Sequence, residues 1–411
     1  MSKVIDEGVP AGREHATAFA VIFAISFSHL LNDMMQSLLP AIYPNLKAGY
    51  HLTFVQLGWL SLAYQLTASI LQPVVGVLAD RRPAPFSLPA GTLFTALGLL
   101  VISAAHSYWV LIAGAVCLGM GSSVFHPEAS RVARMAAGGR NTLSQSLFQL
   151  GGNFGQAIGP LAAALVVLRW GQSSIGMFAL LSLVSTAVLW NVGVWYKHHG
   201  LPRLNAQRAR AKAYPVAPPR HARRGLLILL VLIFSKYVYI ASLISYYTFY
   251  LIERFEVSVA SAQVHLFVFL GAAALGTVWG GYLGDRIGRK AVIWFSILAA
   301  APFTLALPFA NLFWTEVLSV IIGLLIASAF PSIVVFGQEL LPGRVGMVSG
   351  LLFGFSFGMA GLGAAALGYL ADHHGIEFVY RLCAFLPLLG LAAAWLPDLR
   401  PASPAPPAMA T

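Results

Sequence analysis

The chain has 411 residues, of which 58% are hydrophobic and 9% charged, and its 25 Lys and Arg exceed its 14 Asp and Glu to give a formal charge of +11. Soluble domains carry about 25% charged residues, so a water-soluble enzyme or binding domain is excluded: one aqueous core cannot absorb this much apolar surface. Nucleic acid is excluded as partner too, because the basic residues sit in short connections beside apolar runs, where an anionic lipid leaflet is the natural counter-surface.

A bilayer core about 30 Å thick needs ~20 apolar residues per helical span. Twelve such spans are predicted, near 17–44, 53–79, 86–105, 108–133, 141–167, 172–197, 224–252, 260–284, 289–310, 312–340, 344–371 and 376–397. Of the Lys and Arg, 20 fall on the even-numbered connections and the termini, only Lys47, Arg169, Arg254 and Arg381 on the odd-numbered ones, and Lys236 inside a span. That bias predicts both termini on the cytoplasmic side of an inner membrane. The segment before Ala18 has no small-residue cleavage site, so the first span is expected to stay in the mature protein. Cys117 and Cys383 both fall in spans and read as packing residues.

In chain order, the first span carries His29, Asn32 and Asp33. His29 and Asp33 are four apart and share one helix face, a pair suited to holding a proton. The fourth span has Phe125-His126-Pro127-Glu128, with Arg131 one turn on. Glu128 is a second candidate for the coupling acid, and His126 a candidate substrate contact. A metalloprotease would require H-E-x-x-H, which Pro127 interrupts, so no enzyme is expected. The fifth span offers Gln149, Asn153 and Gln156 as cavity-lining amides. Residues 198–223 are basic and rich in Pro and Ala, and form a predicted cytoplasmic linker between a half at 1–197 and a half at 224–397. The Pro- and Ala-rich residues 398–411 form a predicted disordered tail.

Lys236 and Tyr237 lie mid-span in the seventh segment. Ionisable groups at such depth mark function, and Lys236 is the only Lys or Arg placed to hold a small anion, with Asp33 or Glu128, or an anionic substrate when the site is filled, as its expected partner. His373-His374, in a predicted external loop, lack carboxylate or Cys partners for a metal, so no metal or other cofactor is expected.

The halves repeat each other. Gly76 and Asp80 recur as Gly281 and Asp285 at an offset of 205, and Gly119, Pro127, Arg140 and Gly159 recur at 204. Parallel six-helix halves with a site between them describe secondary transporters. The string from Gly281 to Lys290, GYLGDRIGRK, resembles the signature loop of the major facilitator superfamily, G-x-x-x-D-[RK]-x-G-[RK]-[RK]. It implies a conformational latch at Asp285, Arg286 and Arg289. The copy with Asp80 and Arg81 has Pro, Ala and Pro in place of the later Gly and bases, and is expected to latch less firmly or differently.

Ser146 with Gly155, Gly159 and Pro160 partly resembles the fifth-span motif of drug/proton antiporters. Longer strings, FSHLLND from Phe27, GSSVFHPEASRVARMAAGGR from Gly121, QSLFQLGGNFGQAIGP from Gln145, FSKYVYIASLISYYTFYL from Phe234 and QELLPGRVGMVSGLLFGFSFGMAGLGAAALG from Gln338, resemble the fosmidomycin-resistance exporters within that superfamily. The resemblance implies a proton-coupled exporter of a small anionic phosphonate, and a monomer is expected. An importer or antiporter of organic phosphates or other small organic anions is the alternative.

Overall fold

A computed structural model describes residues 17–42, 46, 49–52, 54–202, 204–205 and 221–399. The start of the chain, the middle of the expected linker and the expected tail lie outside the described residues. The helices are α1 (Phe19–Ala41), α2 (Phe54–Arg81), α3 (Ser87–Ser103), α4 (Tyr108–Ala136), α5 (Asn141–Ala162), α6 (Ala179–Trp195), α7 (Ala222–Phe255), α8 (Val259–Arg286), α9 (Arg289–Ala306), α10 (Leu312–Leu340), α11 (Val345–His374) and α12 (Ile376–Cys383). Helix α6 is entered through a 3₁₀ stretch, Gln172–Phe178, and α12 runs on as another, Leu386–Trp395.

These elements fall on the twelve predicted spans. Among the described residues, nine are long and apolar enough to cross a membrane by length and composition. Of the others, α3 is one turn short, whereas α1 and α5 are diluted by polar side chains: His29, Asn32, Asp33 and Gln36 on α1, and Gln145, Gln149, Asn153 and Gln156 on α5. These two helices pack on each other. Side chains added at Gly151 and Gly155 of α5 would run into the α1 backbone at Ser26 and Leu30, and Ser26 Oγ donates to the Leu147 carbonyl at 2.6 Å. Small residues permit this approach, and the polar faces of both helices are thereby turned inward.

The apolar core has an asymmetric plan. One cluster joins residues of nine helices and of the 3₁₀ stretch after α12 near the ends that carry the α2–α3 and α8–α9 connections, among them Ile22, Ile25, Phe125, Phe148, Leu229, Ile233, Phe330 and Phe353. At the opposite ends there are two clusters instead. One contains residues of the first half, from Leu31 to Phe178, and the other residues of the second half, from Val238 to Cys383. The halves therefore share a core at one face of the molecule, called here the basic face, and keep separate cores towards the other.

Candidate functional site

The polar constellation sits where the shared core ends. Moving along α1, Ile25 belongs to the shared core and Leu31 to the first half's own core, so His29 and Asp33 lie at the boundary. Along α7, Ile233 belongs to the shared core and Val238 to the second half's own core, which places Lys236 at the same boundary.

His29, Asp33 and His126 are 2%, 3% and 1% exposed and converge on one point. His29 Nε2 lies 3.4 Å from Asp33 Oδ2 and 3.3 Å from His126 Nε2, and His126 Nε2 lies 3.6 Å from Asp33 Oδ1. The other ring nitrogens face backbone carbonyls: His29 Nδ1 is 2.8 Å from the Phe148 oxygen, and His126 Nδ1 is 3.0 Å from the Ser122 oxygen. A carbonyl oxygen only accepts, so each Nδ1 must carry its hydrogen and donate. In neutral rings both Nε2 atoms then present lone pairs to each other and to a carboxylate. Three buried acceptors face one another, and such a group is stable only with a cation or an added proton between them. The Asp33 oxygens also accept from Asn32 Nδ2 at 3.1 Å and Gln156 Nε2 at 3.0 Å.

The rings are fixed by packing. His29 stacks on Phe148 with centroids 4.2 Å apart, and His126 meets Phe353 at 5.6 Å and Phe357 at 5.0 Å. Gly152 backs onto the cluster: a Cβ there would fall 2.5 Å from His29 Nε2 and 3.0 Å from Asp33 Oδ2.

Lys236 is 4% exposed, and among the described residues no carboxylate pairs with it. Its ammonium lies 4.9 Å from the Phe330 ring centre and 5.2 Å from that of Tyr237. The expected ion pair to Asp33 or Glu128 is not made, because Asp33 is committed to the histidines and Glu128 lies deeper in the shared core. Phe330 packs edge-on against Phe353 at 5.2 Å, so an aromatic wall separates the ammonium from His126. The Oε1 atom of Gln149 is buried without a hydrogen-bond partner among the described residues, while Asn153 Nδ2 donates to Thr277 Oγ1 at 3.2 Å and ties α5 to α8.

Glu128 belongs to a different group. It takes Arg131 at 3.4 Å and accepts from Ser87 Oγ at 3.1 Å, while Arg131 also donates to the Ala79 carbonyl at 2.7 Å and lies 4.0 Å from Asp80. Asp80 accepts from the amides of Gly346 and Met347 at 2.9 and 2.8 Å, at the start of α11. Asp285 accepts from those of Thr142 and Leu143 at 3.0 and 2.9 Å, at the start of α5. Each carboxylate ends one helix and caps the positive end of a helix in the other half, so the acid's poor position on its own helix is compensated. Arg289 stands 3.7 Å from Asp285 and 3.3 Å from Glu339, which also takes Arg134 at 3.3 Å. Arg81 and Arg286 are exposed, and the Arg286 guanidinium lies over the Tyr282 ring at 4.2 Å rather than on Asp285.

The sequence pointed to His29 with Asp33 but put His126 with the substrate. Their meeting spans 97 positions of chain and two helices, which no spacing reveals. Phe330, Phe353 and Phe357 gave no signal among 26 phenylalanines. Gly152 did, as half of a Gly-Gly pair within a polar helix.

The model of the Major Facilitator Superfamily matches residues 25–352 and 240–411. The chain is 55% identical over 384 residues to the fosmidomycin resistance protein of Escherichia coli, covering 93% of this chain and 94% of that protein. It is 39% identical over 383 residues to an uncharacterized MFS-type transporter, YfnC, of Bacillus subtilis, covering 93% and 94%. Among solved structures it is similar to the proton:xylose symporter XylE, with a TM-score of 0.75 at 12% identity over 93% of this chain and 96% of that one. The transporter FucP in its outward conformation gives 0.71 at 16% identity over 94% and 100%; at such identities the likeness concerns the fold. The chain is therefore a multi-pass membrane transporter and not an enzyme, and it belongs to the major facilitator superfamily.

Proposed function

We propose that the protein exports fosmidomycin or a similar small phosphonate across the bacterial inner membrane in exchange for protons. The observation that carries this is the pairing, at one depth, of a buried ammonium without a carboxylate and a cluster of three acceptors that requires a proton. Lys236 is suited to a phosphonate as a point charge, with Gln149, Asn153 and Tyr237 as neighbouring contacts. His29, His126 and Asp33 hold the proton. Glu128 leaves the coupling role for the network around Arg131. The cargo is suggested by the name of the E. coli relative and by its 55% identity.

The division at 198–223 into two halves, the monomeric state and the orientation are part of the same reading. The positive-inside bias puts the basic face in the cytoplasm, so the shared core and both Asp caps close that side and the two separate cores lie towards the outside. Electrostatics alone would favour binding proton and anion together, since a proton makes the cluster less negative. Exchange therefore requires a mechanical link that makes the loads exclusive. Phe330 and Phe353 supply it, because they touch both sites: a ring shift at His126 is passed to the wall beside Lys236.

The test is transport in inverted vesicles with an imposed proton gradient, using fosmidomycin, other phosphonates and unrelated drugs. Accumulation of phosphonates that collapses with the gradient is expected. Proton-driven movement in the opposite sense would replace export by import of organic phosphates on the same fold.

A further inference from the structure

We propose that His29, His126 and Asp33 also form a binding site for a divalent transition-metal ion of the Zn²⁺ class, taken up in place of the coupling proton. The site uses the residues of the proton reading, but the geometry argues for it separately. A tetrahedral ion with bonds of about 2.0–2.1 Å to nitrogen and oxygen holds neighbouring ligand atoms about 3.3–3.4 Å apart. The two Nε2 atoms are 3.3 Å apart, and the carboxylate meets them through different oxygens, Oδ2 at 3.4 Å from His29 Nε2 and Oδ1 at 3.6 Å from His126 Nε2, so each contact is near the tetrahedral spacing and one ligand atom from each group lies within 4.8 Å of the others. Two histidines and a carboxylate are a donor set that zinc and its neighbours accept, with a fourth position left for water or another oxygen.

The outer contacts agree. A metal-bound imidazole nearly always donates its second ring nitrogen to a carbonyl or carboxylate, which fixes the tautomer and aims the other nitrogen at the ion. Here both rings do so, to Phe148 and Ser122, and the carboxylate is held on both oxygens by Asn32 and Gln156. The rings are further locked by Phe148, Phe353 and Phe357. Among the described residues the other histidine–carboxylate contact, His265 with Glu316 at 3.3 Å, has only two ligating groups. His373 donates to its own helix at Tyr369.

The experiment uses the full chain purified in detergent without a polyhistidine tag, and Co²⁺ as probe. One equivalent should bind, give the intense visible absorption of a four-coordinate ion, and be displaced by Zn²⁺. H29Q and H126Q should each weaken binding at least tenfold, while H265A and the H373A/H374A double variant keep it. Zn²⁺ should raise the Tm of the wild type and leave that of H126Q unmoved, and the same melts show whether H126Q is folded. No binding, a six-coordinate spectrum, or binding indifferent to H126Q would overturn the site. No gradient is involved, so Co²⁺ binding without proton-driven efflux would uphold the metal site and remove the transport reading, and efflux without Co²⁺ binding would do the reverse.

Discussion

Lys236 occupies an unfavourable position, buried and with no carboxylate pairing with it among the described residues. Transfer of an ammonium from water into the interior costs several kcal/mol, and two aromatic faces return about 2 kcal/mol or more when desolvated. The rest is an unmet demand for an anion. Lys236→Ala should abolish resistance in an exporter-deficient strain while the protein stays in the membrane at normal level, and Lys236→Arg, which keeps the charge but not the shape, should retain part. Full resistance in the Ala variant would remove Lys236 from the substrate site. The coupling group is tested differently: Asp33→Asn or His126→Gln should stop uphill efflux in vesicles yet leave downhill substrate exchange running, because neither side chain touches the anion. Uphill efflux surviving in both would move the proton elsewhere. Lys236 is legible in the sequence, since one basic residue in a long apolar run stands out, and His29 with Asp33 is legible from their spacing. The pairing of Lys236 with Asp33 or Glu128 is not made here because helix depth and facing are set by packing between helices: α4 brings His126 to Asp33, while Glu128, two residues on and facing the other way, goes to Arg131.

At the scale of elements, the informative feature is a pair of helix-end carboxylates. Asp80 and Asp285 stand at equivalent positions in the repeat and make the same two bonds to the first amides of α11 and α5. The loop after Asp80 has lost the glycine and bases of the signature, which suggested a weaker latch, but the bonds depend on the carboxylate and on the amides of a distant helix. Hydrogen bonds to charged groups contribute about 1.5–3 kcal/mol. Asp80→Asn and Asp285→Asn should therefore slow turnover comparably and raise labelling of cysteines placed on the basic face, with little change in binding. A markedly milder Asp80→Asn would show that Arg289 and Glu339 hold the second latch. Helix boundaries were legible because apolar length dominates them. The polar composition of α1 and α5 blurred their hydropathy for the same reason that it made them the site: their inward faces line it.

At the scale of the whole molecule, the shared core at one face and the divided cores at the other describe two bodies closed together at one end. Rocking between them has to break what joins them there. Besides the two Asp caps, a buried uncharged contact crosses the junction: Ser130 Oγ of α4 donates to Ser349 Oγ of α11 at 3.2 Å, and Gln338 Nε2 of α10 donates to the same Ser349 oxygen at 2.9 Å. The hydroxyl oxygens are near enough for cysteines at these positions to meet the short Cβ–Cβ distance that a disulfide needs. In a background with Cys117 and Cys383 replaced by Ala, the S130C/S349C pair should cross-link on mild oxidation and stop both uphill efflux and downhill exchange. Reductant should restore both. Each single variant should transport under oxidant, since neither alone can bridge the halves. Transport that continues through the cross-link would mean that the basic face need not open there, and alternating access would have to proceed by movement confined to one half.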